Sequence, residues 1–350
     1  MSYQKTTGDT NQPSPFKVWL IVGLIAAGIA VITAILAFTG EEKECSNCPP
    51  AGWQNIRPPE FILALEEQGE YIWAGGLDGL YAIDRSTGEI VPSLVSGAPP
   101  ITYVNDILVD RNGALWVGHW GGLVQFQDGI WKSYTEIDGI PQGPVKSLLE
   151  DSAGTLWIGT ENGVIHFDGM KRNYYSAEDG LGFNEIDVVF QDKEGVFWFG
   201  SASITKGGLS RYDGNTWQTY TVKDGLAHNS VNDIIQDRSG AIWIATGFGG
   251  SGGANKIENG QWSTLTEKDG LAGEKVRSLF EDSDGNLWFG SEYDGVAINV
   301  QGEWKVATPG DGLAGWEILE ILQDKDKVLW VATENGISRI TSIDIFFGAR

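Results

Sequence analysis

Three histidines, His119, His166 and His228, are the only imidazoles in the chain. Imidazole is the usual general base and metal ligand near neutral pH, so any catalysis would be sought there first. None of the three sits in an H-E-x-x-H helix, beside a nucleophile elbow, or near a phosphate-cradling P-loop. His166 lies in the apolar–polar alternation VIHF, a strand pattern that implies packing or a solvent-facing position. His119 and His228 fall in loops of distant segments, and a metal shared between them would need further ligands at suitable spacing. No catalytic residue, no metal and no cofactor is expected. Cys45 and Cys48 form the only C-x-x-C pair. It lacks the following His of a haem attachment site and the βαβ setting of a thioredoxin. A disulfide within the chain, a bridge between two chains, and spectator cysteines all remain open.

Aspartates recur in a D-G-L element at Asp179, Asp224, Asp269 and Asp311, and in D-G-I at Asp138. Their oxygens would suit calcium, but an Asp before Gly at a sharp connection caps backbone amides equally well, and capping is the expectation. The stretch Gly247–Gly253 (GFGGSGG) has no helix behind it to present amides to a phosphate, and reads as an enlarged, flexible hairpin. Charge excludes another class. With 24 Lys+Arg against 47 Asp+Glu, the formal net charge is −23, which argues against nucleic-acid binding. The 15 Trp and 41% apolar content exclude disorder, and the 48 Gly follow no three-residue period.

The elements that hold these residues form a repeat. An apolar–Trp–apolar–small tetrad recurs at Trp73, Trp116, Trp157, Trp198, Trp243, Trp288 and Trp330, at intervals of 43, 41, 41, 45, 45 and 42. That period, built from short strands, implies a seven-bladed β-propeller of four-stranded antiparallel blades. In Ser230–Leu265 the strands read SVNDIIQD, AIWIAT, ANKIENG and QWSTL. The second strand is apolar at successive positions, so both its faces are buried: Trp faces one neighbouring blade and its flanking Ile or Leu the other. The Gly or Ala that follows leaves room where sheets approach. Asp110–Gly113, Asp151–Gly154, Asp192–Gly195, Asp237–Gly240 and Asp282–Gly285 are D-x-x-G turns, and Asp324–Lys327 lacks the Gly.

The pattern D-x-x-G-x-[LI]-W-[IVF]-G-T, with WKSYT at Trp131–Thr135, WQTYT at Trp217–Thr221 and the D-G-L elements, resembles the two-component regulator propeller repeat. The resemblance covers about residues 53–350. It implies an extracellular sensor of the kind that feeds membrane histidine kinases, typically two propellers and an immunoglobulin-like module. Here the repeats make one propeller and no kinase segment is present, so a separate membrane kinase is the implied partner.

Ahead of the repeats, residues 18–40 carry no charge and suffice to cross a bilayer. Lys5 and Lys17 precede them, and Glu41, Glu42 and Glu44 follow, which orients the N-terminus to the cytoplasm. The expected organisation is a cytoplasmic tail (1–17), a transmembrane helix (18–40), an extracytoplasmic stalk (41–52) and the propeller (53–350). Trp53–Ile56 (WQNI) matches the outer-strand pattern and is expected to complete the last blade, with the tail Ile343–Phe347 as its competitor.

Loops between second and third strands emerge on the same side as the connections between blades. Variation in length and type concentrates there, at His119–Trp120, Ser201–Lys206, Thr246–Gly253, Glu292–Asp294 and Trp316. Trp120, Phe248, Tyr293 and Trp316 would supply stacking surfaces to a ligand, and His119, Lys206 and Glu292 polar contacts. The expectation is a surface-anchored binding or sensing module for a glycan, peptide or envelope protein. An envelope assembly scaffold and a streptogramin-lyase-like enzyme are the alternatives.

Overall fold

The computed structural model describes residues 49–343 apart from 141–142, 169–170 and 204–206. The span 18–40, Cys45, Cys48 and Lys206 lie outside the described residues. Seven antiparallel sheets follow one another, and the inner strand of each packs against the inner strand of the next until the last meets the first. The all-β seven-bladed propeller is therefore present. Blade 5 is representative, with strands Val231–Gln236, Ile242–Phe248, Ser251–Glu258 and Gln261–Leu265 in a simple meander. Blade 1 departs from the expected four strands. It has three, Ile62–Gln68, Tyr71–Gly76 and Gly79–Asp84, and Ile90 makes an isolated bridge to Ile83 where a fourth would run. Pro92, Pro99 and Pro100 lie in the segment that follows, and proline cannot donate to a ladder.

Closure follows the sequence expectation. Trp53–Ile56 pairs with Gly336–Ile340, setting Trp53 opposite Ile340 and Ile56 opposite Ile337. Trp53 is buried beside Trp288 and Ile340, and its indole donates to the Ser342 carbonyl at 3.1 Å. Of the competing tail, Ile343 packs against that same cluster and the remainder lies outside the described residues.

Each repeated Trp packs toward the following blade, and its flanking apolar residues toward the preceding one. Trp73 joins Val104, Ile107 and Val117 of blade 2, whereas Ile72 and Ala74 join Trp330 and Ile337 of blade 7. A Cβ on Gly75 would collide with Val104, and one on Gly118 with Val145. Burying two apolar faces per sheet is what holds so thin a fold together, at about 25 cal/mol per Å² of apolar surface.

The turn aspartates do more than turn. In Asp282–Gly285, Asp282 Oδ1 accepts the amides of Asp284 and Asn286, and Oδ2 accepts the Trp288 indole N–H at 3.0 Å. The Asp–Trp bond recurs in blades 2 to 7, between Asp110 and Trp116, for instance, and between Asp324 and Trp330. Gln68 takes the acceptor's place for Trp73 in blade 1. Asp324–Lys327 forms the same turn despite lacking Gly, because Lys327 adopts the left-handed conformation at φ 67° and its N–H reaches the Asp324 carbonyl. These turns also latch neighbouring blades. The amide after each Asp donates to a Glu or Gln at or next to the end of the following inner strand, as Arg111 does to Glu150, Arg238 to Glu281, and Lys325 to Glu67 across the closure.

The D-G-L aspartates cap as expected. Asp138, Asp179, Asp224, Asp269 and Asp311 each accept the backbone N–H and hydroxyl of a Thr or Ser three residues earlier. Ile140, Leu181, Leu226, Leu271 and Leu313, just beyond the Gly, are buried.

Candidate binding face

Inner strands bulge as they reach the loop side. The extra residue falls at Leu63, Asn105, Lys146, Asn232, Arg277 and Leu319, and all six line the mouth of a central cavity of about 450 Å³. A bulge re-aims one side chain per strand, and here it turns that side chain into the channel. Sequence reasoning missed this ring. Its signal was the single residue after the first Val or Ile of each inner strand, which reads Leu, Asn, Lys, Asn, Arg and Leu in these six blades while the residue before it stays Val or Ile.

Below the mouth lie carboxylates that join blades. Asp106 accepts the Ile107 amide at 2.8 Å and the Leu148 amide of blade 3 at 2.6 Å. Asp233 does the same with Ile234 and with Leu279 of blade 6. Burial in the channel wall outweighs these amides and pushes Asp106 up to about 7 and Asp233 to about 6. Glu320 is raised as well, by burial and then by Asp233 and Asp106. At the mouth, Lys146 bonds Glu185 and Asp187, which hold its pKa above the usual lysine value although burial opposes the charge.

The loop face carries aromatic side chains. Trp120 is 58% exposed and Tyr293 65%, with Phe248 and Trp316 nearly half exposed. Phe61 and Tyr103 join them from outside the loops whose variable length marks this face in the sequence. Each directly precedes an inner strand, and each is held at positive φ, 48° and 52° respectively. Tyr103 leans on Trp120 with ring centroids 5.7 Å apart. Tyr293, Trp316 and Glu292 come together, with Phe61, in a groove of about 510 Å³. Phe248 lies further round, with the Lys275 ammonium 5.0 Å from its ring centre. Glu292 pairs with Lys275.

Two expectations need correction. His119 is 6% exposed and belongs to a strand, Leu115–His119, and not to a loop. Its Nδ1 accepts the Gly121 amide at 3.2 Å, and burial lowers its pKa. His119 thus shapes the loop that presents Trp120. Gly247–Gly253 is a paired ribbon, with Phe248 opposite Ser251 across Gly249 and Gly250. A side chain at Gly252 would strike Thr246 and Gly247, so the glycines permit close pairing there and do not make a loose loop. The remaining histidines are occupied. His228 Nδ1 accepts the Ser230 amide at 2.9 Å. His166 packs as expected, stacked on Trp157 with its Nε2 2.6 Å from the Thr155 hydroxyl. Among the described residues no three His, Cys, Asp or Glu converge as a metal site.

Against curated protein sequences the chain has no match. Solved structures share the fold. The extracellular domain of a putative hybrid two component system from B. thetaiotaomicron is 20% identical, with TM-score 0.74. That match covers 86% of this chain and 42% of the other, so the chain spans less than half of that domain. Virginiamycin B lyase from Staphylococcus aureus is 15% identical, with TM-score 0.64, over 83% of this chain and 99% of the lyase. A surface component of the type-IX secretion system of Porphyromonas gingivalis is 15% identical, with TM-score 0.62, over 84% and 48%. At such identities the likeness concerns the fold alone. The family model described as "Two component regulator propeller" matches residues 99–121, 139–162, 225–248 and 270–293, each running from a connection between blades into a Trp-bearing strand. Four of the seven blades thus carry segments that match the two component regulator propeller repeat.

Proposed function

We propose that this chain is a membrane-anchored, extracytoplasmic sensing module that binds its ligand on the loop face, over the channel mouth, without catalysis of its own. One observation carries the reading: Phe61, Tyr103, Trp120, Phe248, Tyr293 and Trp316 are all exposed on that face, on backbone fixed by the blades. Rigid, half-exposed aromatics are costly in water and give a ligand area at small entropic cost. The likeness to an extracellular two-component domain supports a sensor, with a separate membrane kinase receiving the signal. The apolar span 18–40 supports anchoring.

The test compares two alanine sets, each checked for folding. One removes Trp120, Phe248, Tyr293 and Trp316; the other removes exposed side chains of the D-x-x-G turns on the opposite face. Binding of glycan and peptide libraries should be lost with the first set and kept with the second. Loss from the turn set alone would overturn the assignment.

A further inference from the structure

The groove at Phe61, Tyr293 and Trp316 is built in a way that selects among ligands. Its polar lining is acidic: Glu292, Glu317 and Glu334. Two of the three are matched by cations, Glu292 by Lys275 and Glu317 by Arg277 at 3.3 Å. Glu334 faces no cation within 4 Å among the described residues. Its carboxylate is received by backbone, accepting the amides of Trp316 at 3.0 Å and Glu317 at 2.9 Å. Gly315 is the residue that admits it, since a Cβ there would strike the carboxylate. The Glu334 carbonyl also accepts the Phe61 amide at 3.0 Å, and the Trp316 carbonyl accepts the Gly295 amide. One residue therefore fixes the backbone beneath two of the three rings and leaves a negative charge between them. Glu317 feels that charge: burial raises its pKa first, Arg277 and Lys275 oppose the rise, and Glu334 adds to it.

Aromatic faces attract cations through their quadrupole, and an unmatched carboxylate beside them adds a directed charge. We infer that this groove binds an organic cation, a guanidinium or ammonium group, seated among Phe61, Tyr293 and Trp316 with Glu334 as its counter-charge. The inference deepens the loop-face reading above and rests on it. A cation there removes the repulsion between Glu317 and Glu334. It is also drawn to a chain of net charge −23. The guanidinium has two natural sources, a free small amine or an arginine side chain of a polypeptide.

Calorimetric titration of the full-length chain in detergent tests this with three probes: agmatine, an end-capped pentapeptide with a central arginine and glycine flanks, and its citrulline counterpart. Citrulline keeps the shape and loses the charge. The arginine peptide should bind at least tenfold more tightly than the citrulline peptide, and should weaken as salt is raised. Tyr293→Ala and Trp316→Ala should each weaken it about tenfold, and Tyr293→Phe should not, because the ring is kept. Agmatine matching the peptide would identify a free amine as the ligand type; a tighter peptide would identify an arginine in a chain. Equal binding of the citrulline peptide, or no binding of either cation, overturns the inference. If a neutral oligosaccharide binds instead and Trp316→Ala abolishes it, the cation assignment falls and the loop face stands. If only turn-side variants abolish binding, both fall.

Discussion

Asp106 and Asp233 show how a carboxylate can be structural and still titrate. Both tie one blade to the next through an amide, yet burial holds them near 7 and near 6, well above their ordinary values. A carboxyl raised on folding contributes stability that is complete below its unfolded pKa near 4 and is lost as pH rises through the folded value. The propeller should therefore lose stability from these groups between about pH 4 and 7. The double variant Asp106→Asn/Asp233→Asn should flatten that decline, although it is less stable at low pH because each Asn sets an N–H₂ against a blade-joining amide. Urea unfolding across pH measures it, and an unaltered slope would assign the pH response elsewhere. Asp282 accepts two turn amides and the Trp288 indole N–H. Asp282→Asn sets an amide N–H₂ against the Trp288 indole N–H, leaving a buried donor unmatched at a cost of about 1–3 kcal/mol. A urea midpoint equal to the parent's would refute the role given to this bond. The i to i+6 spacing of Asp and Trp was visible in every repeat from blade 2 onward, but spacing does not reveal which atom bonds which.

Elements were more legible than sites. Tryptophan spacing, turn glycines and alternating apolar residues reflect burial on both faces of a sheet, and that is a local demand which each repeat states separately. The closing strand was legible for the same reason, since WQNI carries the outer-strand pattern. Deleting residues 53–57 should remove the fourth strand of blade 7 and its buried Trp53, lowering the melting temperature by more than 10 °C or abolishing folding. A thermal melt within 2 °C of the parent would show that another segment fills the slot. The bulges, the ribbon at Gly247–Gly253 and the burial of His119 were not legible, because each is decided by what a neighbouring blade brings against it. Phe61 and Tyr103 escaped notice for a related reason. An aromatic next to a strand reads as core, and only the positive φ at each turns it outward.

At the scale of the whole chain, the expected anchor makes a prediction independent of the propeller's chemistry. Lys5 and Lys17 stand before the apolar span and three glutamates soon after it. A phosphatase fused after residue 350 should be active, and protease added to intact cells should shave the propeller from the membrane fraction. An inactive fusion, or propeller released into the medium without protease, would contradict the assigned orientation or the anchor.

The aromatic groove also spans the joint at which the ring is sewn shut. Asn55 and Arg57, within and just after the closing strand, donate to the carbonyls of Gly312, Ala314 and Asn335, in the two loops that carry Trp316 and Glu334. Phe61 belongs to the first blade, Trp316 and Glu334 to the seventh and its approach. A molecule gripping all three is a splint across that joint, and whatever free energy it contributes to binding is subtracted from the tendency of the ring to spring open there. Occupancy should therefore be readable some distance away, as slower amide exchange along Gln54–Ile56 and Ile337–Ile340, with little change in the blades opposite. A ring bridged in this way would register an occupant through how firmly the circle holds together, with no moving lid.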